Sequence, residues 1–253
     1  MLAYLQFPVD AMRPVFLLCL LAALAPAHAQ SGFTIGHSAT DANGKFLPVQ
    51  QMAWRYTTLA AAQDAFERQA SRLAPNSILT FRLAVDAGDT TSLVDLVKGS
   101  DRTPLPMVAP GAFLLASAGA GVDDAFVVAN RDFPPGQMTH PTVRVRSHDV
   151  PPGVVRMGDV RLACQAQMAM AKTAGFKVYA ALGAASLLGF DVCNKLAVTV
   201  FDAPASKFDT IVVDDGARHA SLAAGAPDAL TLGDMQWSDN ARISFTWQGQ
   251  SVR

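Results

Sequence analysis

The residues best suited to chemistry in this chain are two histidines, His140 and His148, which flank the stretch TVRVRS, with Asp149 beside the second. Imidazole and carboxylate together make a zinc-type ligand set, and the same groups could serve as a dispersed acid–base pair. A strand between them would carry the two histidines to opposite ends, so a solvated loop accounts for them more simply. Three aspartate pairs, Asp86 with Asp89, Asp123 with Asp124 and Asp214 with Asp215, offer oxygen ligands for calcium. None fits the D-x-D-x-D-G loop, and aspartate close to glycine commonly closes a turn by bonding to nearby backbone.

No serine sits in G-x-S-x-G, and neither a Walker-type loop nor H-E-x-x-H occurs. Gly119-Ala120-Gly121 lacks the third glycine and the helix that a dinucleotide loop needs. Trp54 and Tyr56 would share one face of a strand, where they can pack in the core or stack a sugar. These residues assign no catalytic, cofactor or metal site, and no cofactor is expected.

Cysteine usage and the N-terminus indicate the compartment. Residues 1–29 read as a signal peptide: Met12-Arg13, the apolar run Val15 to Ala25, and an A-x-A cleavage site at Ala27-His28-Ala29. Translation could begin at Met1 or at Met12. Cys19 departs with the leader, leaving Cys164 and Cys193 as a structural disulfide suited to an oxidising compartment. Later apolar runs are too short to span a bilayer; the longest, Val178 to Phe190, is broken by Gly183 and Gly189. A periplasmic or secreted location follows, with no transmembrane segment once the leader is cleaved. The net charge of −1 and the lack of a basic block argue against nucleic acid as a partner.

The elements that must hold these residues are legible from periodicity. Thr58 to Leu73 places Leu59, Ala62, Phe66, Ala70 and Leu73 on one helical face, with Pro75 at the exit. Two-residue alternation marks strands in ILTFRLAV from Ile78, SLVDLV from Ser92, DAFVVANR from Asp124, KLAVTVFD from Lys195, DTIVVDDGAR from Asp209, which ends in an Asp-Gly turn, and SDNARISFTW from Ser238. Glycine turns fall at Gly99 and Gly216, and prolines 104, 106 and 110 suggest edge positions.

Those elements recur in order. PGAFLLAS at Pro110 and PDALTLGD at Pro227 lie 227 − 110 = 117 residues apart, and Leu79 with Leu196 and Gly99 with Gly216 keep that offset. Gln51-Met52-Ala53 with Gln167-Met168-Ala169, Arg102 with Arg218, and Asp123 with Asp239 differ by 116. On that reading the first helix, Thr58 to Leu73, corresponds to Thr173 to Leu188 at 173 − 58 = 115, which Cys164 would precede and Cys193 follow.

The expected fold class is α+β, in two similar tandem units, each a mainly antiparallel sheet or sandwich with one packed helix. The first unit spans residues 30–148 and the second, disulfide-bearing unit residues 149–253, with a linker within Asn130 to Gly153. The expected function is a non-catalytic periplasmic or secreted binding protein, whose partner is an envelope protein or a small ligand. The alternative is an envelope hydrolase with a dispersed site of His140, His148 and neighbouring aspartates.

Overall fold

A computed structural model describes residues 32–40, 46–83, 94–115, 122–133, 141–173, 192–198, 208–223 and 230–252. Residues 1–31, on which the signal-peptide expectation falls, His140, Asp86, Asp89 and nearly all of the Thr173 to Leu188 segment lie outside them. The described chain is α+β: three antiparallel sheets and two main helices packed together.

In chain order, strands β1 (Gly32–Thr40) and β2 (Phe46–Arg55) form an antiparallel pair, and β2 runs directly into helix α1 (Tyr56–Leu73). Then come β3 (Ser77–Arg82), β4 (Val94–Lys98), β5 (Asp101–Pro104), β6 (Met107–Ala109), β7 (Ala112–Phe113), β8 (Phe126–Phe133) and β9 (Thr142–Ser147). Strand β10 (Val154–Arg156) runs directly into helix α2 (Met157–Thr173). A one-turn helix α3 (Val192–Lys195) and strands β11 (Thr210–Asp214), β12 (His219–Ala223), β13 (Arg242–Trp247) and β14 (Gln250–Val252) complete the chain. The sheets are ordered β1-β2-β8-β4-β5, β6-β7-β3-β9 and β10-β13-β11-β12, with β14 also paired to β13.

The amphipathic face read for α1 is the buried one: Leu59, Ala62, Phe66 and Leu73 enter a core with Trp54, Phe81, Phe113, Val127 and Val145. Trp54 and Tyr56 are core residues, which leaves no open aromatic platform between them. A second core gathers Val155, Val160, Ile211, Val213, Leu230, Leu232, Ile243 and Phe245.

Helix α2 serves both cores. Every residue from Met157 to Cys164 is buried; Leu162, Ala163, Ala166 and Met170 face the first core, while Met157, Val160 and Cys164 face the second. Cys164 therefore lies within a helix rather than ahead of one, and its disulfide to Cys193 ties α2 to α3. The helix starts where two segments of the chain nearly touch. A Cβ on Gly158 would stand 1.9 Å from the Leu73 carbonyl oxygen, so only glycine lets the end of α1 approach this closely.

The side chains of α2 also cover a sheet edge. Asp159 accepts the backbone N–H of Ser147, and Gln167 accepts that of Val143. Eight helical residues rise about 12 Å and four strand residues about 13 Å, so helix and strand stay in step. The outward donors of Val143 and Ser147 are thereby satisfied, which blunts that edge as a template for another strand.

Candidate functional site

Charged residues at the start of α2 organise the region with the strongest claim to function. Arg161, only 9% exposed, spreads its guanidinium over the loop that leads into β13. Its Nε donates to the Leu232 carbonyl at 2.8 Å, and one terminal nitrogen donates to the carbonyls of Asp234 and Trp237 at 2.8 and 3.2 Å. The other terminal nitrogen meets the Asp239 carboxylate at 2.6 Å. Arginine suits this task because its rigid fork holds several acceptors at fixed angles, which a lysine ammonium cannot do.

The outer side of the loop is tied down as well. Arg218 donates to the Gln236 carbonyl at 2.6 Å and lies over the Trp237 ring. The Asp234 carboxylate accepts the Gln236 N–H, and Asp215 accepts both the N–H and the hydroxyl of Ser238. At the base, Gly233 donates its N–H to the Asn194 carbonyl and packs so closely that an added Cβ would stand 2.5 Å from that oxygen. Asn194 follows Cys193, so the disulfide braces the foot of the loop. From this tethered backbone the Met235 side chain projects with 83% of its surface exposed.

Beneath the loop lies a buried polar cluster. Asp159, 2% exposed, accepts the N–H and hydroxyl of Ser147 at 2.9 and 2.6 Å. Arg156 reaches the Ser147 hydroxyl, the Asp239 carbonyl and the Asn240 side chain. Burial pushes the Asp159 carboxyl above its ordinary value, against the pull of the Ser147 bonds and of Arg156 and Arg146. On the surface the reverse holds, since the two Ser238 bonds draw the Asp215 carboxyl below its ordinary value. Arg146 completes the frame by donating to the carbonyls of Val150, Pro151 and Val154, which fixes the Pro-Pro-Gly corner after β9.

Residues singled out by type are placed differently. His148 and Asp149 sit exposed in the turn after β9, and His219 is exposed on β12. Asp214 closes the Gly216 turn by accepting its N–H, and Asp123 and Asp124 are exposed in a turn before β8. Among the described residues no group of three histidine, cysteine or acidic side chains converges as a metal site. Residue type alone did not point to Arg161 or Asp159; their sequence signal is charge within the otherwise apolar run from Met157 to Cys164. Among the described residues no helix is long and apolar enough to cross a membrane. Compared with known proteins, the chain matches no family model, no curated sequence and no solved structure.

Proposed function

We propose that this is an exported, non-catalytic binding protein of the periplasm or extracellular space, built from two tandem related units, residues 30–148 and 149–253. The observation that carries the binding role is the loop from Leu232 to Asp239. Its carbonyls are held by Arg161 and Arg218 while Met235 stands out at its tip. A rigid loop loses little entropy on docking, and an exposed, polarizable methionine side chain adapts to an apolar recess on a partner. The Cys164–Cys193 bridge suits an oxidising compartment.

Strand pairings support the tandem reading. Arg55 opposes Phe126 and Val97 opposes Phe126; Arg156 opposes Arg242 and Asp214 opposes Arg242. In each half a strand enters its helix with the first helical N–H bonded just ahead of the central strand: Tyr56 to Ala125, Met157 to Ala241. Phe81 pairs with Phe113, and Val198, 117 positions after Phe81, bonds to Leu230, 117 after Phe113. Gly99 and Gly216 both adopt positive φ in the equivalent hairpin turns.

Proximity labelling in the cell envelope, run in parallel with wild type and Met235→Asp, tests the binding role. A reproducible set of neighbours that the variant loses is the expected result. Identical sets for both proteins would overturn the role of this loop.

A further inference from the structure

Outer strands β5 and β12 occupy corresponding positions, each paired, among the described residues, only to the strand before it, and they differ where an edge is normally guarded. In the first hairpin Leu105 donates to the Val94 carbonyl. Alternation of antiparallel bonds then turns the main-chain groups of Arg102 and Pro104 outward. Proline offers no N–H there, and the exposed Arg102 pairs with Asp95 at 3.5 Å; both devices discourage strand addition.

In the second hairpin Asp215 donates to the Arg218 carbonyl, so by the same alternation His219, Ser221 and Ala223 face outward. Ser221 stands 117 positions after Pro104, and His219 the same distance after Arg102. The guards are gone. Among the described residues no strand pairs with the outer side of β12.

We propose that β12 is a self-association edge, at which a second copy of the chain adds its own β12 antiparallel across a two-fold axis at Ser221. The strand is self-complementary in that register. Ser221 meets Ser221 of the second copy with two reciprocal main-chain bonds, and His219 stands opposite Ala223, so no like charges are directly opposed. On the other face Leu222 meets Ala220 of the second copy. Both are half-buried residues packed on the second core, so the apolar layer continues from one copy into the next.

The test is sedimentation velocity of the oxidised mature protein from low micromolar to high micromolar concentration. Wild type is expected to dimerise as concentration rises. Ser221→Pro copies the residue that the first sheet tolerates at Pro104, leaves the bonds to β11 in place, and should weaken self-association more than about tenfold through loss of two bonds. Ser221→Lys and Ser221→Glu should each be monomeric, and an equimolar mixture of the two should dimerise again. Circular dichroism confirms that the variants fold, and the charge-swap pair decides the matter if the proline variant does not. A wild type that stays monomeric throughout, or a lysine variant that dimerises as wild type does, would overturn the proposal.

Discussion

Two carboxylates illustrate how the same residue type acts in opposite directions in this fold. Asp159 is buried and its folded-state pKa is raised, so the folded chain holds that proton more tightly than the unfolded chain does. Its charged form therefore costs stability above the folded pKa, and the cost fades as pH falls towards the ordinary value of 3.8. Wild type should accordingly gain stability relative to Asp159→Asn on acidification, read from urea midpoints at several pH values. Asp159→Ala leaves the Ser147 N–H without its acceptor and should cost about 2 kcal/mol at neutral pH. Asp215 behaves conversely, because its pKa is lowered by the Ser238 bonds. Its advantage over Asp215→Asn should be complete above pH 3.8 and disappear as pH drops through its lower folded value. Arg161→Ala strips three carbonyls and Asp239 of their partner and should destabilise by about 3–5 kcal/mol. Gly158→Ala forces α1 and α2 apart, at about 3 kcal/mol by the usual range for overpacking. Thermal and urea unfolding check both.

At the scale of elements, legibility in the sequence followed solvent exposure. Helix α1 has one wet face, so Asp64, Glu67 and Arg68 outline its period, and strands β3, β9, β11 and β13 alternate because one face of each is buried. Helix α2 is buried all round over its first eight residues and so shows no period. The 116–117 offset on which the tandem proposal rests is carried by turns and strands, where glycine, proline and apolar alternation mark positions. It put a second helix at Thr173 to Leu188, nearly all of which lies outside the described residues; the described second helix is α2, Met157–Thr173. Aligned on Arg55 and Arg156, the strand–helix junctions are 156 − 55 = 101 positions apart, while Phe81 and Val198 are 117 apart. On the proposed tandem reading, 117 − 101 = 16 more residues separate Arg156 from Val198 than separate Arg55 from Phe81, and Cys193, bridged to α2, lies in that longer stretch. The Met235 loop was not legible because its buried tethers come from Arg161, more than seventy positions away, as in the bond to Leu232. The 29-residue separation of the cysteines makes the bridge worth about 3–4 kcal/mol in the chain-entropy picture. Cys164→Ser with Cys193→Ser should lower stability by that amount and speed hydrogen exchange at Gly233 and Asp234, whose foot the bridge braces.

On the scale of the whole molecule, α2 belongs to two cores at once, so neither core can open without disturbing the other. Fluorescence from Trp54, in the first core, and Trp237, in the second, should report coincident urea midpoints in single-tryptophan variants. Well-separated midpoints would mean that the helix does not couple the halves. The most direct test of the tandem architecture is a set of cross-strand Hα–Hα contacts measured by nuclear magnetic resonance. Such contacts are strongest in pairs that do not exchange main-chain bonds, where Cα atoms approach to about 4.5 Å. Expected are Val94 with Ala129 and Leu96 with Val127 in the first sheet, matched by Ile211 with Phe245 and Val213 with Ile243 in the second. A register shifted by one residue in either sheet, or contacts present in one and missing from the other, would contradict the duplicated fold.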